Sequence, residues 1–154
     1  MPTAARADSR LTYDDFLLFP DDGRRHEIID GEHYVTPSPN LRHQRLVGRL
    51  FLSIGNYLAA HPGAGQLFLA PLDVVLSYHD VVEPDLLFVA GDQGAIMTEK
   101  NIQGPPALVI EVISKSTRKK DAQTKRRLFE RTGVREYWLV DPELDLVQVL
   151  RASP

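Results

Sequence analysis

The run Ala107–Ser114, ALVIEVIS, limits what this chain can fold into more than any other stretch. Val, Ile and Leu dominate it, a Pro-Pro pair precedes it and a Ser/Lys/Thr segment follows, so it reads as a buried β-strand. Alternation places Leu108, Ile110 and Val112 on one face and Val109, Glu111 and Ile113 on the other. Glu111 therefore has no polar side to choose. An unpaired ionised carboxylate in such a strand costs several kcal/mol, so Glu111 requires a sheet margin, a cationic partner or a metal ion. A structural ion pair with a nearby Lys or Arg meets the requirement as well as a functional site does.

Around this strand the sequence reads as mixed α/β. Thr12 can cap a short helix through Phe19 that Pro20 and DDG break. HEIID and EHYVTP flank Asp30-Gly31, a pair suited to a tight hairpin. From Asn40 to about His61, Leu46, Val47, Leu50, Ile54, Tyr57 and Leu58 follow one helical face until HPGAG ends the pattern. QLFLAPLDVVLS and DVVEPDLLFVA are expected to pair as an antiparallel hairpin turning around Tyr78-His79. GDQGAIMTEKNIQGPP is expected as a loop, Thr117 to Arg131 as a helix, and EYWLVDP and DLVQVLR as two further strands. A chain of 154 residues suits one core burying roughly 70% of the unfolded surface, here a single domain over 11–154 behind a loose tail at 1–10. No segment approaches the roughly 20 apolar residues of a membrane helix, the N-terminus does not read as a secretory signal, and a cytoplasmic location is expected. The chain has no cysteine, which removes disulfides, thiol nucleophiles and Cys-based zinc sites.

A second misplaced carboxylate is Asp85, held by Pro84 at the start of an apolar strand. A turn near His79 would set Asp73 opposite Asp85, and like charges 4 Å apart repel by about 4 kcal/mol at an effective dielectric of about 20. A cation between them relieves this. Carboxylates gathered without Cys or well-spaced His favour a hard ion, Mg²⁺ or Mn²⁺. His26, His33, His61 and His79 show no ligand spacing. In the helix after Thr117, Asp121, Lys125, Leu128 and Thr132 share a face, and Leu128 turns that face inward, making Lys125 the inward cation. A pair between Lys125 and Asp121 within the helix is the bland alternative. The chain carries a net charge of -3, yet residues 115–131 sum to +6, so a basic face on an acidic body is expected. Arg118, Lys119, Lys120, Arg126 and Arg127 are the candidates for phosphate contacts.

EPD before an apolar strand, then VIEVIS, then STRKKDAQTKRRLFERTGVREYWLVDP, together with the upstream HEIIDGEHYVTPSPNLRHQRL, resembles the PD-(D/E)XK nuclease superfamily. More narrowly it resembles a bacterial group of restriction-endonuclease-like domains of unknown function. The resemblance implies a mixed central sheet flanked by helices, here with an N-terminal helix and hairpin. It also implies metal-dependent hydrolysis of nucleic-acid phosphodiesters, DNA first, with room for a homodimer. It assigns Asp85 and Glu111 as metal ligands, with the main-chain carbonyl of Val112 as a third. The signature lysine two residues after the acid is Ile113 here, and in the narrower group the lysine falls at Lys125. Lys115, of the same strand parity as Glu111, competes with it if the strand runs on. Glu27 and His43 match an acid and a histidine of the group. With Asp73 and Asp121 they form a secondary set of candidates. Ile113 supports a rival of another class, a non-catalytic binding domain on the same scaffold. The chain also stops at Pro154, earlier than members of the group tend to, which bears on the far edge of the fold.

Overall fold

The computed structural model describes residues 8–153, so the tail expected at 1–10 falls mostly outside the described residues. Asp30 (φ 49°) and Gly31 (φ 74°) both adopt the left-handed backbone that a two-residue hairpin turn demands. They join β1 (Arg25–Ile29) to β2 (Glu32–Thr36), as the sequence implies. β1 then pairs with β5 (Asp80–Val82), β5 with β4 (Val74–Ser77), and β4 runs parallel to β7 (Ile102–Gln103), giving the sheet order β2-β1-β5-β4-β7. A second mixed sheet has the order β10-β9-β8-β6-β3. It is built from β3 (Gly65–Leu69), β6 (Leu86–Ala90), β8 (Leu108–Val112), β9 (Glu136–Asp141) and β10 (Leu146–Arg151). Only β8 and β9 in it are parallel.

The long hairpin expected around Tyr78-His79 is split between these sheets. Only its inner halves, β4 and β5, pair there, while β3 and β6 pair in the other sheet. Pro71 and Pro84 stand at the two crossings; neither can donate to a ladder, so the chain leaves one sheet and enters the next. The register differs accordingly. Val74 faces Val82, which sets Asp73 toward Glu83 and away from Asp85, whose carbonyl instead accepts from the Ala70 N–H at 3.1 Å.

Helices cover the second sheet as its apolar faces require. α1 is a single turn, Tyr13–Phe16, shorter than expected, closed by a reciprocal cap between Thr12 and Asp15. α2 spans Leu41–Ala59 and starts at Asn40, whose side chain accepts from the His43 N–H. Leu46, Val47, Leu50 and Ile54 of α2 pack on Leu108, Ile110 and Val112 of β8. The opposite face of β8, with Val109 and Ile113, packs with Leu128, Phe129, Tyr137 and Leu139. The alternation read from ALVIEVIS is therefore real, and Glu111 points to the second of these layers. The loop expected after β6 contains a 3₁₀ segment, Gly91–Ile96, and β7; the Gln93 side chain accepts from the N–H groups of Ala90 and Ala107 and so holds it. After β8 the chain enters a π-helical segment, Lys120–Lys125, that continues into α3, Arg126–Thr132, and ends at Gly133 with φ 92°. Among the described residues no helix is long and apolar enough to cross a membrane.

One carboxylate ties the layers. Buried Asp80 accepts from the Asp30 N–H (2.8 Å), the Ser77 hydroxyl (2.6 Å) and both terminal nitrogens of Arg131 (2.9 and 2.7 Å). It thereby joins the hairpin turn, the β4–β5 turn and α3. Asp80→Ala is expected to lower the unfolding free energy by about 2–4 kcal/mol, because it strands these donors in a dry site. Urea denaturation gives the measurement, as a lower midpoint with an unchanged slope.

Candidate active site

Pro84 ends the ladder of β5 and delivers Asp85 to the start of β6, beside β8. Backbone and carboxylates of the two strands then lock reciprocally. The Asp85 N–H donates to Glu111 Oε1 at 2.9 Å, and the Val112 N–H donates to Asp85 Oδ2 at 2.8 Å. The other oxygen sites are taken by cationic groups. Asp85 Oδ1 lies 3.0 Å from Arg25 Nη1, and Asp85 Oδ2 lies 3.1 Å from His43 Nε2. Lys125 Nζ bridges Glu111 Oε2 at 2.8 Å and Glu27 Oε2 at 2.9 Å. Glu27 also accepts from the Glu83 N–H at 2.7 Å, and its other oxygen lies 3.5 Å from Lys120 Nζ.

The π-helical segment explains how two lysines reach one carboxylate. In an α-helix, residues five apart point in different directions, whereas the wider i→i+5 turn brings Lys120 and Lys125 toward the same side. Asp121 comes with them, 2% exposed, its Oδ1 without a hydrogen-bond partner. His43 Nδ1 is likewise buried without a partner. Both residues line an open cleft of about 160 Å³, together with Arg25, Asp85, Glu111 and Lys120. Lys125 is 1% exposed and does not reach the cleft; it stands behind Glu111.

The carboxyls of the cluster are pushed in opposite directions by burial and by the charges beside them. Burial pushes Asp85 up, but the His43 hydrogen bond and the Arg25 charge outweigh it and hold its carboxyl below the usual range. Burial likewise opposes the ionisation of Glu27, and Lys125 and Lys120 reverse the effect. Glu111 goes the other way. Burial, against the pull of Lys125 and with the help of Asp85, Asp121 and Glu27, raises it to about 8. Asp121 is also raised, by burial against Lys125. Burial favours a neutral Lys125, yet Glu111, Glu27 and Asp121 around it keep it charged well beyond the ordinary lysine range.

The sequence-derived residues thus fall into two groups. Glu27, His43, Asp85, Glu111, Val112, Asp121 and Lys125 come together. Asp73 stands apart with Glu83, and Lys115 is exposed, 3.8 Å from Glu143, because β8 ends at Val112. Of the proposed phosphate contacts, Arg118 is bound to Asp141 and Glu143, and Lys120 lies in the cleft wall. Lys119, Arg126 and Arg127 are exposed. Arg25 was not among the candidates; its parity with Glu27 along β1 was the available signal. The place of Lys120 in the cleft depends on the π-helical turn, which leaves no mark on the apolar periodicity. Asp85 and Glu111 offer a cation oxygen atoms, the set a hard ion takes, with the imidazole of His43 as the one nitrogen ligand beside them. Asp121, which lines the same cleft, adds a buried acceptor in its unpartnered Oδ1. Among the described residues no three His, Asp or Glu side chains gather as a ready-made cage. An ion in the cleft would instead take over the Asp85 oxygen now held by Arg25, while Lys125 keeps Glu111 Oε2 from behind. The residues therefore fit a hard divalent ion held by two carboxylates and main chain.

The Uma2 family model, described as a putative restriction endonuclease, matches residues 13–153. Among solved structures, a putative nuclease belonging to DUF820 from Anabaena variabilis is similar with a TM-score of 0.77 and 21% identity, over 94% of this chain and 81% of that one. At that identity the likeness is one of fold. No curated protein matches the sequence.

The raised carboxyls set a pH dependence of stability. Glu111 and Glu83, the latter also pushed up to about 8 by burial and its hydrogen bond to Asp73, hold protons in the folded protein that they release in the unfolded one. Between the unfolded carboxyl range and about pH 8 the folded state binds more protons, so stability falls as pH rises through that window. Glu111→Gln removes one part of this slope and Glu83→Gln another, measured as unfolding free energy against pH.

Proposed function

The chain belongs to the Uma2 family, and from that premise we propose that it is a metal-dependent nuclease that hydrolyses phosphodiester bonds in nucleic acid, DNA first, in the cytoplasm, alone or as a homodimer. One observation carries the reading. Asp85 and Glu111 face one open cleft, are joined through the N–H groups of Asp85 and Val112, and on the cleft side are compensated by Arg25, a cation that a divalent ion can replace. Asp85 and Glu111, with the main-chain carbonyl of Val112, would hold Mg²⁺ or Mn²⁺, which supplies a bound water of lowered pKa and neutralises phosphate charge. The chain's own groups do the rest. Lys125 fixes the Glu111 carboxylate between two strands and keeps positive charge behind it. Lys120, in the cleft wall with its amine only loosely held at 3.5 Å from Glu27, is the amine able to meet a phosphate and stabilise its transition-state charge. The role expected of a single lysine is thus divided between two. His43, oriented by Asp85 at the start of α2, lines the cleft beside the carboxylate and would help position a phosphate there.

The rival reading, a non-catalytic binding domain, draws on the full occupation of the carboxylate oxygens by Arg25, His43 and Lys125. Incubation with labelled DNA and RNA plus Mg²⁺ or Mn²⁺ separates the two. Cleavage is expected from the wild type and none from Asp85→Ala or Glu111→Ala. Lys120→Met is expected to lower kcat about 10²–10³-fold, with a smaller loss of stability than Lys125→Met because Glu27 keeps its closer partner Lys125. Lys125→Met should instead destabilise the fold by about 3–5 kcal/mol, because it strands two buried carboxylates. Saturating Mg²⁺ should raise the melting temperature, by about 2.7 kcal/mol in stability at a hundredfold excess over Kd, and more at pH 8.5 than at pH 6 because Glu111 must release its proton. Equal cleavage by wild type and carboxylate variants, or none under any condition, removes the nuclease reading. Absence of a metal-induced shift favours the binding domain.

A further inference from the structure

Residues 33–72 contain no Asp or Glu, although the chain holds 21 acids and a net charge of -3. The only Lys or Arg residues in that interval are Arg42, Arg45 and Arg49, all on α2. At spacings of three and four they follow one side of the helix, beside the face that Leu46, Val47, Leu50 and Ile54 press onto the sheet. All three are exposed. Arg42 bonds to the Pro142 carbonyl and lies 3.7 Å from the solvent-exposed Asp145. Among the described residues Arg45 and Arg49 have no carboxylate partner. Gly48, between them, has open space where a Cβ would stand, so the helix backbone itself can be approached closely.

The position of this face relative to the cleft gives it meaning. His43, in the first turn of α2, lines the Asp85 cleft and two neighbouring clefts, one also lined by Arg42 and the other by Gln44 and Val47. The helix thus starts where three clefts meet and carries its arginines outward from there over about 10 Å. In the basic run after β8, Lys120 lines the Asp85 cleft and Lys115 and Arg118 line the one Arg42 shares, but the remaining cations do not reach these clefts. Arg118 is neutralised by Asp141 and Glu143, while Arg126 and Arg127 line clefts that share no residue with the Asp85 cleft.

We infer that the exposed Arg42–Arg45–Arg49 face of α2 is the track for the phosphate backbone of a nucleic acid whose scissile phosphate enters at His43 and Asp85. The inference rests on the nuclease reading for its partner, and charge complementarity selects that partner: a helix with no acid of its own, bearing two arginines without carboxylate partners and starting at a carboxylate cleft. Binding of a labelled DNA duplex, and of the matching single strand, is measured by fluorescence anisotropy in EDTA over a salt series, so that no cleavage is needed. Arg45→Gln/Arg49→Gln is compared with Lys119→Gln/Arg126→Gln/Arg127→Gln, each with a melting curve.

The α2 variant is expected to melt as the wild type does and to flatten the slope of log K against log salt by about 2, one for each lost phosphate contact. Retention of the wild-type slope by the α2 variant overturns the inference, whatever the other variant does. Capture on phosphatidylserine vesicles without DNA binding overturns it in favour of a membrane surface, and no binding to either nucleic acid overturns it together with the nuclease reading. The expected flattening in a protein that cleaves nothing with Mg²⁺ or Mn²⁺ sustains the track and removes only the chemistry.

Discussion

The buried bridge of Lys125 between Glu27 and Glu111 is the contact on which the arrangement of the cleft depends. Its three members come from β1, β8 and the segment preceding α3, elements of both sheets and the helix between them. None of the three can be ionised alone in that interior without a large desolvation cost, so each element is held in register by the charge of the others. Asp85 then joins the group through main chain, donating its N–H to Glu111 and accepting from Val112. A carboxylate bound in this way has little freedom to rotate, which suits a group that must hold its orientation while something else binds. The same bridge removes Lys125 from the cleft and leaves Lys120 there.

Much of this was legible in the sequence where one residue type had one physical solution. Glu111 within ALVIEVIS demanded a partner, and strand parity said which layer would provide it. Asp30-Gly31 fixed the hairpin that carries Glu27, and the apolar spacing of α2 fixed the helix that carries His43. Less legible were features that arise between elements. The split of the expected long hairpin turns on two prolines whose effect depends on a second sheet being present to receive the chain. The register then moved by two residues, enough to take Asp73 away from Asp85 and give it to Glu83, a neighbour that periodicity could not distinguish. Arg118 looked like a free cation because its partners, Asp141 and Glu143, lie beyond the next strand. Charge runs read along a sequence cannot show which of their members are already neutralised in space.

The division of charge over the surface follows from that neutralisation. The lysines and arginines after β8 sit among acids and are partly spent on ion pairs, whereas the three arginines of α2 lie in a stretch without a carboxylate. Their sequence signal is weaker, three charges in forty residues, but their spatial signal is stronger. For recognition of a polyanion the field outside the surface counts, and that field depends on uncompensated charge more than on the number of cations.

Ile113 shows why the site has this form. It occupies the position two residues beyond Glu111 where the signature of the superfamily has a lysine, and it is 6% exposed in the core that includes Leu128, Phe129 and Leu139. A lysine there would place an ammonium among those side chains. β8 ends at Val112, and the Ile113 N–H donates to the Val140 carbonyl, so the backbone at this point is still tied to the neighbouring strand. The amine that Glu111 needs must therefore come from another element. The helix after β8 is near enough, and its π-helical turn directs Lys125 to Glu111 while Lys120 faces the cleft. Apolar packing at Ile113 and the two lysines of the following turn are thus parts of one solution: the strand contributes only its carboxylate, and the helix contributes the positive charge.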